Sequence, residues 1–347
     1  MEPPTTLRVA FWNTWLLAPR MWASGPRLPG GERLFFAPDV DRRAPLVGPA
    51  LAGRFDVAAL SEVFERSEHD AVARSWPGAT LVEGPGRARF KRAASGLITF
   101  VDSARAQVTR SARIAYRSGG DLRDSDTFAT KGALLTCVRL LDHHGQPIPD
   151  LPEVEVVSTH LFAGGELLPI PGSDDDSRHH QVRLRQLEEL TAFALEHHRP
   201  ENVLVVCGDM NVCAHDPSPD VAHDPTLRYR EMRERLAPLD VVDVWAEHGV
   251  GPGHTCTFHH AFDLPSDPEH PDRVVDRAGE DEAAAPGERI DYLFVAQPEG
   301  RPVTIGRPHR WAFHGRPARG GPAGSLSDHL AISGELDLAG PPRPGRA

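Results

Sequence analysis

Val203-Leu204-Val205-Val206-Cys207-Gly208-Asp209-Met210-Asn211-Val212 is the stretch from which the fold is read. Its apolar, largely β-branched opening reads as a strand, ended by Gly208, Asp209 and Asn211. Asp209 and Asn211 are separated by one residue, so on an extended chain both side chains point the same way. The same arrangement recurs on either side. Asn13 follows Val9-Ala10-Phe11-Trp12, Glu62 follows Val57-Ala58-Ala59-Leu60-Ser61, and His160 follows Val156-Val157-Ser158-Thr159. Asp291 opens Asp291-Tyr292-Leu293-Phe294-Val295, and Asp328 and His329 precede Leu330-Ala331-Ile332. One polar residue at a strand end is ordinarily just where the strand meets water. Six such sites, supplying carboxylates, asparagine and histidine and almost nothing basic, suit a catalytic set that rigid strands hold toward one spot.

Strands are expected at residues 7–11, 57–60, 96–101, 133–140, 154–157, 203–207, 290–295 and 330–332. The clearest helix covers 181–197, with Leu184, Leu187, Leu190 and Ala194 on one face, Ser177 as its N-cap and Pro200 beyond its end. Shorter helices are expected at 44–51 and 68–74. Residues 19–40, 164–176 and 259–287 read as long loops, and the tail from residue 340 as disordered. No repeat at a period of 20–50 residues is present.

The chain has 347 residues, and length alone favours about two domains. Apolar residues make up 40% and charged residues 25%, as in a globular protein, and the 31 glycines and 33 prolines stay below the level of low-complexity chains. A net charge of −11 lacks the excess of cations that drives binding to a phosphate backbone. No apolar run of ~18 residues exists, so no membrane-spanning helix is expected. The N-terminus shows neither a basic segment nor an apolar core of a signal peptide, which fits a cytoplasmic protein or a mature secreted form. Cys137, Cys207, Cys213 and Cys256 fit neither a disulfide framework nor a zinc pattern and read as isolated buried thiols.

Carboxylate and amide oxygens are hard ligands that suit Mg²⁺ together with water and substrate phosphate. Two histidines and further carboxylates add proton transfer and phosphate contacts. Metal-assisted hydrolysis of a phosphoester needs this mixture. No GxSxG marks a covalent nucleophile, and no glycine-rich phosphate loop marks a nucleotide cofactor.

Trp12-Asn13-Thr14-Trp15, Leu60-Ser61-Glu62-Val63, Ser158-Thr159-His160-Leu161, Gly208-Asp209-Met210-Asn211-Val212, Arg289-Ile290-Asp291-Tyr292 and Ser327-Asp328-His329 stand in the order of the endonuclease/exonuclease/phosphatase superfamily. From residue 7 to residue 335 the chain resembles that superfamily. The resemblance implies an α/β fold, a four-layer sandwich of the DNase I-like kind: two mixed β-sheets face to face with helices outside. It implies one domain over 1–347, against the length prior. Within the superfamily the chain is most similar to the neutral, bacterial-type sphingomyelinases. The carriers are Asp56 to Glu65, Thr130-Lys131-Gly132-Ala133-Leu134, and Thr159-His160-Leu161-Phe162-Ala163 followed by Arg183, Gln186 and Leu187. Lys-Gly at a strand start also occurs in inositol-polyphosphate phosphatases.

The resemblance implies a Mg²⁺-dependent phosphodiesterase, with Mn²⁺ or Co²⁺ as substitutes, acting on a phosphoester such as a lipid head group. Glu62 would be the principal metal ligand, assisted by Asn13. Asp209 and Asn211 would position the attacking water and a phosphate oxygen. His160 would hydrogen-bond a phosphate oxygen. His329 would be the general acid or base, with Asp291 orienting it, and whether Asp209 or His329 takes the water proton stays open. Asp328 would support the ligands or hold a second metal ion, and Lys131 would contact phosphate as a point charge. The chain departs from the family in two places. Val101-Asp102-Ser103-Ala104 replaces a frequent Ser-Lys-x-Pro. The segment 307–315, where secreted sphingomyelinases carry an aromatic membrane hairpin, offers only Trp311 and Phe313, so at most peripheral membrane contact is expected. Nuclease or other phosphatase activity is the alternative, carried by a local basic patch, Arg87-Ala88-Arg89-Phe90-Lys91-Arg92. No protein partner is implied. The pairs His143-His144, His179-His180, His197-His198 and His259-His260 read as surface histidines, and Asp174-Asp175-Asp176 as a solvated loop. Trp12, Trp15 and Trp22 are equally suited to a substrate rim and to packing.

Overall fold

Strand β1 (Thr6–Asn13) sends apolar side chains to both of its faces. Leu7, Val9 and Phe11 enter one buried cluster, and Ala10 and Trp12 enter another. Successive strand residues alternate between faces, so a strand covered on both sides reads as an unbroken apolar run. The computed structural model describes residues 5–18, 37, 39–121, 124–164, 176–215, 224–257, 267–275, 287–315 and 324–340.

The other strands are β2 (Val57–Ser61), β3 (Ala79–Glu83), β4 (Ile98–Asp102), β5 (Ala106–Ala115), β6 (Gly132–Leu140), β7 (Val154–His160), β8 (Val203–Asp209), β9 (Val242–Asp243), β10 (Cys256–Thr257), β11 (Gly287–Glu288), β12 (Asp291–Ala296), β13 (Thr304–Ile305), β14 (His309–Trp311), β15 (His314–Gly315), β16 (Gly324–Ser325) and β17 (Ala331–Asp337). The first sheet runs β13-β17-β1-β2-β4-β3, with β14 also on β17, and the second runs β5-β6-β7-β8-β12-β9. Both are mixed: β1/β2 and β7/β8 are parallel pairs, and the remaining pairs in the two sheets are antiparallel. β10/β11 and β15/β16 form two short ribbons.

The helices are α1 (Val40–Arg43), α2 (Val47–Leu51), α3 (Arg66–Ser75), α4 (Asp176–His197), α5 (Leu227–Leu236) and α6 (Val244–His248). Between the sheets, Val9, Phe11, Val57 and Ile332 meet Val154, Val156, Val205 and Leu293. Outside the second sheet, Leu184, Leu187 and Leu190 of α4 and Met232 of α5 pack on Val157, Val206 and Phe294. Outside the first, Val40, Val47, Leu51 and Val72 of α1–α3 cover Ala58, Leu60 and Phe100. The result is the expected four-layer α/β sandwich.

The structure corrects several details. Helix α4 starts five residues earlier than expected, and Ser177 lies inside it instead of capping it. The 44–51 segment is a 3₁₀ turn followed by α2, with Pro45 at its start. Strands β3 and β5 were missed because they alternate exposed and half-buried residues without a long apolar run. Cys137, Cys207 and Cys256 are buried free thiols, and Cys213 is half-buried. His179 and His180 are buried, not superficial: adjacent helix residues leave in different directions, one to Asp124 at 3.0 Å and the other to Glu231 at 2.8 Å. His198 likewise meets buried Glu155 at 2.7 Å. Trp12 is core. Trp22, His259, His260, Asp174, Asp175 and the tail from 341 lie outside the described residues. No described helix is long and apolar enough to cross a membrane.

Candidate active site

The register of the second sheet sets three polar side chains next to one another. His160 ends β7 opposite Asp209, the last residue of β8, and Asp291 opens β12 opposite the same Asp209. From the facing sheet, Asn13 ends β1, Glu62 directly follows β2, and His329 stands just before β17. Asn13 joins the two sheets: its Nδ2 donates to Glu62 Oε1 at 3.1 Å and to Asp209 Oδ2 at 2.9 Å, and its Oδ1 accepts from the Trp15 N–H at 3.0 Å. His160 Nε2 lies 3.9 Å from Glu62 Oε1 and 3.7 Å from Asp209 Oδ2. His329 Nδ1 is bonded to Asp291 Oδ2 at 2.7 Å, while its Nε2 faces Asp209 Oδ2 at 3.9 Å and Asp328 Oδ1 at 4.0 Å.

Asn211 does not share an extended face with Asp209. Its φ is +50°, a left-handed conformation that asparagine tolerates better than most residues. The bend lets its N–H donate to Asp209 Oδ1 at 2.9 Å and its Nδ2 donate to the Leu161 carbonyl at 3.1 Å. Asn211 therefore reaches Asp209 through a turn. Glu62 (φ +64°) and Trp15 (φ +46°) are also left-handed. Such strained positions collect at functional sites, where surrounding contacts hold them.

Charge is distributed unevenly over the cluster. Burial, and next the charge of Asp328, push the Glu62 carboxyl up to about 7. Burial and the charge of Asp291 push Asp209 up to about 7 against the opposing influence of His329, Asn13 and Asn211. His160 is pushed well below the ordinary range by burial and by Lys131 and His329, so it is neutral at pH 7. Burial lowers His329 too, but Asp291 outweighs it and holds the ring protonated. Lys131 is buried and paired with Asp126 at 3.0 Å, yet its charge bears on Glu62 and His160.

The oxygens fit a divalent cation. Glu62 Oε2 is buried with no hydrogen-bond partner among the described residues, and it shares its surroundings with the Asp328 carboxylate. A hard cation there would relieve both the burial and the repulsion. Asp209, Asp291 and His329 also bring ligand atoms within 4.8 Å of one another. There, however, the short His329–Asp291 bond already engages the ring nitrogen, as in an acid–base unit.

Four supporting residues were not singled out from the sequence. Arg43 of α1 donates to the carbonyls of Thr14, Trp15 and Leu326, and burial lowers it to about 10 against the pull of Asp328 and Glu62. Ser327 Oγ donates to the Asn13 carbonyl at 2.7 Å and accepts the His329 N–H at 3.0 Å. Thr255 Oγ1 accepts the Asp291 N–H at 3.1 Å. Arg289 pairs with Asp243 at 2.8 Å in full burial behind β12. Ser327 and Arg289 stand inside quoted motifs, whereas no local pattern distinguishes Arg43 or Thr255. Trp311 and Phe313 are buried against Phe55, at centroid distances of 5.2 and 6.4 Å, and cannot serve as an exposed aromatic hairpin.

Two mixed sheets thus face each other, with polar side chains converging from their strand ends. Among solved structures, the chain is similar to beta toxin 275-280 from Staphylococcus aureus, at 15% identity and TM-score 0.62, over 94% of this chain and 99% of that one. It is similar to an endonuclease/exonuclease/phosphatase family protein from Bacteroides thetaiotaomicron, at 14% identity and TM-score 0.58, over 97% and 96%. It is also similar to sphingomyelinase C from Streptomyces griseocarneus, at 15% identity and TM-score 0.56, over 95% and 99%. No family model and no curated protein matches the sequence. At these identities the likeness establishes the fold.

Proposed function

We propose that this protein is a Mg²⁺-dependent phosphodiesterase that hydrolyses a phospholipid such as sphingomyelin with water. One observation carries the reading: an unpartnered, buried Glu62 oxygen and the His329–Asp291 dyad flank Asp209 and His160 in one cluster. Glu62, Asn13 and Asp328 would hold the metal ion, and Mn²⁺ or Co²⁺ would substitute for it. When bound, the ion withdraws charge from a phosphate oxygen. Asp209 and Asn211 position the attacking water beside His329 Nε2. Asp209, its carboxyl raised toward neutrality, takes the water's proton. Protonated His329, fixed by Asp291, stabilises the charge that builds on phosphorus-bound oxygen. Neutral His160 donates a hydrogen bond to a second phosphate oxygen, and Lys131 adds a fixed positive charge nearby. The water oxygen bonds to phosphorus as the ester bond in line with it breaks; the departing alkoxide takes up a proton from solvent, and Asp209 returns the water's proton to solvent.

The lipid reading is supported by the net charge of −11, which disfavours a polyanionic substrate, and by the likeness to a sphingomyelinase C. The test is turnover of sphingomyelin, duplex DNA and an inositol phosphate, side by side, with and without Mg²⁺. Metal-dependent cleavage of sphingomyelin is expected to be fastest. Faster cleavage of DNA would transfer the assignment to a nuclease, and turnover indifferent to metal would overturn the mechanism.

A further inference from the structure

Phe90 is 88% exposed and held at φ +67°. A large aromatic residue so placed loses contact area and adopts backbone geometry that branched and bulky side chains avoid. Around it stand Arg87, Arg89, Lys91 and Arg92, four cations within six residues of a chain whose net charge is −11. Arg87, Arg89 and Arg92 are exposed, and the Arg89 guanidinium covers the Phe90 ring at 4.8 Å. Lys91 is half-buried and donates to the Thr127 carbonyl at 2.7 Å, which anchors the base of the loop.

The loop stands at the rim of the candidate site. Its flanks bond to the residues that adjoin Glu62 and Lys131. Val63 N–H donates to the Gly96 carbonyl at 3.1 Å, Thr130 N–H to the Ala93 carbonyl at 3.2 Å, and Ala88 N–H to Thr130 Oγ1 at 3.0 Å. A rigid base thus carries an aromatic tip with cations on both sides.

We propose that the 87–92 loop is a docking surface for an anionic lipid membrane, and that it turns the mouth of the site toward that membrane. Cations near an anionic leaflet gain about fivefold in affinity each, and an exposed aromatic ring gains by entering the headgroup boundary. The rest of the chain carries net negative charge that the same leaflet repels, so this basic loop is favoured to face it, and the orientation follows from charge. A nucleic-acid strand is the less suited partner, because the cations form one short cluster at a loop tip and not a groove that follows a backbone.

The test is co-sedimentation of the full chain with phosphatidylcholine vesicles, with and without phosphatidylserine, at physiological salt. This binding measurement needs no turnover, so its outcome is separate from the fate of the proposed phosphodiesterase activity. The wild type is expected to bind phosphatidylserine vesicles at least tenfold more tightly than phosphatidylcholine alone. Phe90→Ala is expected to lose about tenfold and the double variant Arg89→Gln/Arg92→Gln about 25-fold. Phe90→Trp should retain binding, and thermal melts should report intact folding in each case. Equal binding to both vesicle types, or variants that bind like the wild type, would overturn the proposal. So would duplex DNA displacing the vesicles with a steep dependence on salt.

Discussion

Glu62 carries the metal assignment. Its Oε2 is buried without a partner among the described residues, and its neighbour Asp328 repels it. Glu62→Gln keeps the shape and the Asn13 contact but removes the charge. We expect it to abolish Mg²⁺-dependent turnover while circular dichroism shows the fold intact; near-normal turnover at matched Mg²⁺ would remove Glu62 from the ligand set. The His329–Asp291 bond makes a different forecast. His329→Ala should lower kcat by roughly 10²–10³-fold, the usual cost of removing one donor aimed at a developing oxyanion. Adding Asp291→Asn to that variant should cost little more, because residues that act as one unit are strongly non-additive. Adding Asp209→Asn should bring a further large loss, since Asp209 holds the water on its own. Measuring kcat for the singles and both doubles at saturating Mg²⁺ decides between these; independent, multiplicative losses at Asp291 and His329 would dissolve the dyad.

Among the elements, β8 is tightly constrained beside the site. A Cβ added at Gly208 would lie 2.4 Å from the Thr159 carbonyl oxygen and 2.8 Å from its Cγ2, directly across the β7/β8 pair. Gly208→Ala must therefore push the strands apart beside Asp209. A loss of about 1–3 kcal/mol is expected from overpacking, seen as a lower Tm, with a fall in kcat because Asp209 is the next residue. The far end of β7 answers to pH. Glu155 is buried and accepts from Arg110 and Asn202, each at 2.9 Å, from His198 at 2.7 Å and from the Arg199 N–H. Burial pushes its carboxyl up, but the bonds from His198, Asn202 and Arg199 outweigh that and hold it below the ordinary range. A carboxyl depressed on folding stabilises above its unfolded value and loses that contribution as pH falls through the folded one. Tm should therefore drop on acidification below about 4.5, and Glu155→Gln should show a lower Tm at pH 7 with a shallower acid slope. An identical slope in the variant would remove Glu155 from the account.

At the scale of the whole molecule, the two sheets meet through Asn13, whose amide bonds a carboxylate from each. A cation at Glu62 would add to that junction. Chelation with EDTA should abolish turnover without unfolding the chain, and Mg²⁺ should restore activity and raise Tm with the logarithm of one plus its concentration over Kd, as for any ligand of the native state. A Tm independent of Mg²⁺ would argue against binding at this junction.

The strand ends were legible in the chain because burial on both faces leaves an unbroken apolar run, and the first polar residue after it marks the rim of the sandwich, as at Asn13 and Asp209. The apolar runs thereby gave strand ends and the polar residues standing at them, while the four-layer sandwich was what the resemblance of the six motifs implied. Sequence by itself did not show β3 and β5, whose outer faces meet solvent, nor that His179 and His180 are buried, because burial of a polar residue depends on partners such as Asp124 and Glu231 that are distant in sequence. Only the tertiary structure decided that Asn211 turns back onto Asp209, that Arg43 ties the loops beneath Asp328, and that Trp311 and Phe313 fill the core. Each of these depends on contacts between segments far apart along the chain, and local spacing carries no information about which segments will meet.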